Sequence, residues 1–196
     1  MPARAISLLS SILFTTMFFT SPTCAQERAA GNEFGVWFGG QTGNAHAFAS
    51  TINSRMYQVE GRYSRLFYAN RLFALRYVAE AIPLSLVGDP QANGQRVYAY
   101  GTGGSPIGLQ INLLHYRRVQ PFVTSGGGFL CFNRRMFGET QFNFTAQIAA
   151  GVQLFTSRRH SVDFGYEYHH ISNANLGNHN PGMDSQVVFV GVSFFR

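Results

Sequence analysis

The chain has no lysine, and all 15 of its basic residues are arginine. That excludes P-loop phosphate binding and Schiff-base catalysis, both of which use an amine. The arginines are scattered or paired at predicted turns and form no basic helix or patch. Nucleic acid is therefore not the expected partner in spite of the formal net charge of +6; the guanidinium fork suits anionic lipid phosphates equally well. Cysteine is almost absent. Cys24 falls in an N-terminal leader, and Cys131 lies in the apolar run Gly-Gly-Gly-Phe-Leu-Cys-Phe. No intramolecular disulfide can form once the leader is gone, and Cys131 reads as a structural thiol, buried or lipid-facing. Beyond the leader no apolar run approaches the roughly 20 residues that a spanning helix needs, and no 3.6-residue pattern persists. A membrane protein made from this chain has to be a barrel.

The leader itself is legible. Arg4 precedes an apolar run from Ile6 to Phe19, followed by Ser21, Pro22, Thr23, Cys24 and Ala25. Small residues at Thr23 and Ala25 mark a cleavage site before Gln26, so residues 1–25 are a secretory signal peptide. Ser21 stands where a lipoprotein signal would carry Leu. Residues 26–196 then form one domain.

From Glu33 onward the sequence alternates apolar and polar residues with period two, broken by Gly, Asn and Pro clusters. Phe144, Ala146, Ile148, Ala150, Val152 and Leu154 share one face, with Asn143, Thr145, Gln147 and Gln153 on the other. Similar runs start at Glu33, Tyr57, Phe73, Ile107 and Val119, and two more arms cover Val162–Ser172 and Asp184–Phe194, which predicts eight strands. Short connections near 69–71, 116–118 and 157–159 alternate with long ones predicted at 42–54, 88–104, 133–141 and 173–182. A soluble sandwich has no reason for this rhythm, whereas an outer-membrane barrel has short turns at one end and long loops at the other. The expected fold is an all-β, eight-stranded, antiparallel up-and-down transmembrane barrel. Gln58, Glu60, Arg62, Arg76, Glu80, Gln110, Asn112, Gln147, Asp163 and Glu167 are expected inside it, because eight strands leave room for side chains and not for a channel. Phe194 and Phe195 close the last strand before the terminal Arg196.

The chemistry gathers between Tyr166 and Ser185. On a strand, His170 and Ser172 lie on the apolar face with Val162, Phe164, Tyr166 and Tyr168, because side chains repeat every second residue. On the returning arm Asp184 shares parity with Gln186, Val188, Val190, Val192 and Phe194. A hydroxyl, an imidazole and a carboxylate so placed are the parts of an ester-cleaving triad. Here they sit on the outside of a sheet, which points to a lipid substrate. Asn173, next to the candidate nucleophile, is a candidate oxyanion donor. His169 and His170 point to opposite faces and make a poor chelate, so no metal and no cofactor is expected. Counting strands from a periplasmic N-terminus puts the 173–182 loop outside the cell.

The run His-x-Ser-Asn-Ala, followed by Gly-x-acid with Asp184 twelve residues after Ser172, resembles the signature of the PagL family of outer-membrane lipid A 3-O-deacylases. The likeness is specific over Tyr166 to Ser185 and looser elsewhere. It implies an eight-stranded barrel in the outer membrane of a Gram-negative cell, with lipid A or lipopolysaccharide as substrate among outer-membrane lipids, and it allows a homodimer. It assigns His170 as base, Ser172 as nucleophile, Asn173 as oxyanion contributor and Asp184 as orienting acid. Two positions depart from the family pattern: Asp184 stands where Glu is usual, and Asn175 where Gly is common. The competing readings are a non-catalytic structural or lipid-binding barrel and a general lipid esterase.

Overall fold

The alternating runs fold into eight strands that hydrogen-bond in chain order and close into a single barrel, β1 pairing with β8. They are β1 (Asn32–Asn44), β2 (Arg55–Ala69), β3 (Phe73–Pro90), β4 (Arg96–Leu113), β5 (Val119–Met136), β6 (Thr140–Phe155), β7 (His160–Ser172) and β8 (Met183–Phe195). This computed structural model describes residues 31–196 apart from 92 and 138. The signal peptide read at residues 1–25 lies outside the described residues. Every neighbouring pair is antiparallel, so no sheet edge is left open within the barrel wall.

The wall sorts side chains as the period-two pattern requires. All ten polar residues expected inside are buried, Asp163 fully and Glu80 at 9% exposure the least. The outward residues are apolar and exposed, as in Phe34, Val36 and Phe38 on β1 or Val188, Val190 and Val192 on β8. An apolar band round the whole wall has no stable place in water and matches hydrocarbon. Cys131 belongs to this exposed band.

Inside, each of the two buried guanidiniums among the described residues is paired with a carboxylate. Arg76 Nε lies 3.3 Å from Glu33 Oε2 and donates to Ser64 Oγ at 2.7 Å. Arg62 Nη1 lies 3.4 Å from Glu80, the guanidinium sits 4.0 Å above the Trp37 ring, and Arg62 also donates to Gln110. Asp163 accepts from Ser161, Ser193 and Trp37. This polar layer is capped at both ends by apolar ones. Phe155 and Phe195 pack 5.0 Å apart at the turn end, and Met56, Ile82, Leu130, Ile171 and Met183 belong to a cluster at the loop end. Removing one partner from a buried ion pair strands the other, at a cost of about 3 to 5 kcal/mol. Arg62→Met is therefore expected to lower barrel stability by about that amount, read as an earlier urea midpoint from the emission of Trp37, which lies directly beneath Arg62.

The predicted loops at 88–104 and 133–141 are corrected. Strands β3, β4 and β5 each run 18 residues, and the connections shrink to what lies between Pro90 and Arg96 and between Met136 and Thr140. Bulges hide the outer parts of β3 and β4 from a period-two reading. The register shifts between Ile82 and Ser85 on β3 and between Gly104 and Ile107 on β4, and each shift moves the apolar set to the other parity. The Gly and Pro residues at 101–106 also look like a loop when read locally. Roughly 9 to 11 tilted residues cross a bilayer, so these strands carry the wall beyond the membrane at the loop end.

Candidate active site

The outward faces of β7 and β8 meet at the loop end, where His170 is the register partner of Asp184. Their side chains are joined, His170 Nδ1 to Asp184 Oδ1 at 2.6 Å. The shorter carboxylate thus reaches the imidazole without the extra methylene of Glu. Nδ1 being taken, Nε2 is the nitrogen left to accept a proton. Ser172 closes β7 on the same outward face, two residues on and opposite Phe144 of β6. Among the described residues no hydrogen bond joins the Ser172 hydroxyl to His170, so the structure joins the imidazole to the carboxylate and leaves the hydroxyl two residues along the same face. His169 points the other way, into the barrel, against Glu167 at 2.7 Å.

Asp184 faces outward yet has no exposed surface. The covering comes from the β1–β2 loop, residues 45–54, which the motif reading did not include. Three consecutive backbone N–H groups converge on Asp184 Oδ2: Ala47 at 2.8 Å, Phe48 at 2.8 Å and Ala49 at 3.0 Å. The Ala45 N–H donates to the Asp184 carbonyl at 3.1 Å, and the Ser50 N–H donates to the Pro181 carbonyl at 2.7 Å. The carboxylate therefore holds two things at once, the imidazole with one oxygen and the loop with the other. The Phe48 ring stands edge-on to His170 and Tyr168, at 5.9 and 6.4 Å.

The 173–182 loop is built around Asn173, which is nearly buried. Its Nδ2 donates to the His179 carbonyl at 2.8 Å, its N–H donates to Asn180 Oδ1 at 3.1 Å, and its Oδ1 accepts from the Asn175 N–H at 2.9 Å. Ala174 and Asn175 take φ of 50° and 63°, the left-handed region in which Asn is among the better tolerated side-chain residues. That is a physical reason for Gly at position 175 elsewhere and for Asn as its substitute here. A second tie was also missed by sequence. Glu139, in the β5–β6 connection, accepts from the N–H groups of Asn178 and His179 at 2.9 and 3.2 Å.

Small displacements of a reacting group cost up to about a hundredfold in rate. Glu139→Ala is thus expected to slow by about tenfold or more whatever reaction the His170 imidazole serves and to sharpen protease sensitivity at residues 173–182, while the barrel keeps its heat-modifiable gel mobility. Glu139→Gln, which retains an acceptor oxygen, is expected to restore most of both.

Among the described residues there is no group of three or more His, Cys, Asp or Glu side chains that could hold a metal ion. The arrangement is an imidazole hydrogen-bonded to a carboxylate on a lipid-facing wall, with a primary hydroxyl two residues along the same strand face.

Comparisons with known proteins find the same kind of barrel. The family model for lipid A 3-O-deacylase (PagL) matches residues 54–193, which include His170, Ser172, Asn173 and Asp184. The structure is similar to the crystal structure of the outer membrane enzyme PagL, at 17% identity and a TM-score of 0.60, over 81% of this chain and 97% of that one. It is also similar to Neisserial surface protein A, at 14% identity and a TM-score of 0.52, over 87% of this chain and 100% of that one. A further likeness is to the outer membrane protein OprG from Pseudomonas aeruginosa, at 12% identity and a TM-score of 0.50, over 86% and 97% of the two chains. No curated protein sequence matches the chain. At these identities the structural likenesses establish the fold, that of outer-membrane β-barrels. The family model covers more than half of the chain, and on that ground the protein belongs to the PagL family of lipid A 3-O-deacylases.

Proposed function

We propose that the protein is a serine esterase that hydrolyses the acyl ester at the 3 position of lipid A, working in the outer leaflet of the outer membrane after export by its signal peptide. The observation that carries this reading is the 2.6 Å contact of His170 with Asp184 on the lipid-facing wall, with Ser172 two residues along the same face. Family membership supplies the substrate class.

In this reading Ser172 Oγ attacks the ester carbonyl as its proton passes to His170 Nε2. Asp184 holds Nδ1–H, which fixes the tautomer and favours the imidazolium that forms. The tetrahedral oxyanion is met by the second amide hydrogen of Asn173, the first being held by His179, because an amide nitrogen carries two donors. Collapse of the intermediate breaks the ester bond, His170 returns the proton to the departing sugar hydroxyl, and the acyl group stays on Ser172. Water, activated by the same imidazole, then releases the fatty acid and restores the hydroxyl. No metal or cofactor is called on.

Mass spectrometry of lipid A from a Gram-negative host expressing the protein tests this directly. Loss of one 3-hydroxyacyl chain is the expected result. Turnover of phospholipid with intact lipid A would instead identify a general lipid esterase, and no turnover of either would leave a scaffold barrel.

A further inference from the structure

The family model begins at residue 54, so residues 45–53 of the β1–β2 loop, which cover Asp184, lie outside the match. That loop is nonetheless tied to the site at five backbone N–H groups, three on the carboxylate and two flanking it. Such anchoring leaves the loop little freedom beside the imidazole. At its centre Phe48 is 79% exposed although it touches His170 and Tyr168, both outward residues of β7. An aromatic ring that leans on the outer wall and keeps most of its surface free is directed at lipid. A second aromatic group stands on the other side of Ser172. Phe144, its register partner on β6, packs on Phe142 at 5.1 Å, and Phe142 stacks on Phe129 at 5.8 Å. Between the two groups, Ala146 faces His170 across the β6–β7 register and is exposed. A small exposed residue beside the imidazole is thus flanked by aromatic groups on both sides.

We propose that Phe48 forms one wall of the acyl-chain site, and that the β1–β2 loop is a component of the active site held in place by Asp184. The proposal rests on the esterase reading above. It adds that the carboxylate has two duties, orienting His170 and docking the loop that receives the fatty chain. Asp suits this double role, since one oxygen reaches the imidazole while the other stays inside the ring of three N–H groups.

Two measurements on the full-length protein in lipid vesicles test it. In the first, Phe48→Ala is compared with the parent on a long-chain and an acetyl ester of the same alcohol. The ring is mostly exposed, so its loss leaves the barrel folded. The expected result is a rise of about tenfold or more in KM for the long-chain ester, with kcat and the acetyl ester far less affected. In the second, Phe48→Trp is placed in phosphatidylcholine vesicles with brominated acyl chains. Trp37, the single natural tryptophan, is buried inside the barrel and supplies the baseline. Emission from the new tryptophan is expected to be quenched by the brominated chains and protected from aqueous iodide. Equal loss on both esters, or quenching by iodide and not by brominated lipid, overturns the proposal. If the parent cleaves no ester at all, the esterase reading falls, and the quenching experiment still decides whether Phe48 meets acyl chains.

Discussion

Replacing Ser172 with Ala is expected to abolish release of the hydroxyacyl chain, lowering the rate by about a thousandfold or more, while the barrel folds as before. The size follows from chemistry, because loss of the nucleophile removes the covalent route and leaves only binding and oxyanion stabilisation. The lack of an effect on folding follows from placement. Ser172 is half-exposed on the lipid-facing wall and its hydroxyl holds no other described group in place, so the stability change should stay within about 0.5 kcal/mol. Lipid A mass spectra and heat-modifiable gel mobility read the two outcomes separately. Labelling of the parent, and not of Ser172→Ala, by an organophosphate identifies the same oxygen by a second route. Full activity in the Ala variant removes Ser172 as the nucleophile.

The second large effect is expected at Asp184. An Asn side chain has one acceptor oxygen and one donor nitrogen, whereas this position accepts on both oxygens, from the imidazole on one side and from three backbone N–H groups on the other. Asp184→Asn must place its NH2 against one of them. Either the imidazole loses the acceptor that fixes its tautomer, or the β1–β2 loop loses its anchor. We expect a fall in kcat of about ten-thousandfold, the order seen when a triad acid becomes an amide. Loosening of residues 45–50 should accompany it, worth about 1 to 3 kcal/mol locally and visible as faster amide exchange at Ala47, Phe48 and Ala49. Asp184→Glu is expected to lose activity as well, because the extra methylene pushes the carboxylate past an imidazole already at 2.6 Å and out of the ring of N–H donors. A gain of activity in the Glu variant would show that the native Asp is a blunted acid on an inactive scaffold.

The strands with unbroken alternation were legible from sequence. Phe144 to Leu154 and Val162 to Ser172 keep one parity throughout, and the structure puts each residue on the face its number demands. The outer halves of β3 and β4 were not, since bulges at Ile82/Ser85 and Gly104/Ile107 change the parity partway along. Within the apolar cluster at the loop end, Val87 and Ala99 were hidden for the same reason: past a bulge an inward apolar residue looks like an outward one. At the site, His170, Ser172 and Asp184 announced themselves by residue type and spacing. The loop of residues 45–54 did not, because it contributes backbone N–H groups, which every residue except proline has. Glu139 was hidden differently, as one acid in a turn whose partners, Asn178 and His179, lie some forty positions away.

The sequence by itself thus determined the sidedness of the wall, the closed barrel that an all-strand membrane chain must form, and the chemical inventory of the β7–β8 hairpin. These follow from local quantities, the two-residue repeat and the identity of side chains close together in the chain. Only the tertiary structure decided that the carboxylate of Asp184 is covered, that Phe48 stands over His170, and that Glu139 and the β1–β2 loop hold the site from two sides. Those contacts join residues up to 137 positions apart through backbone donors. Closure of the barrel, which brings β1 beside β8, is what makes the β1–β2 loop a neighbour of Asp184.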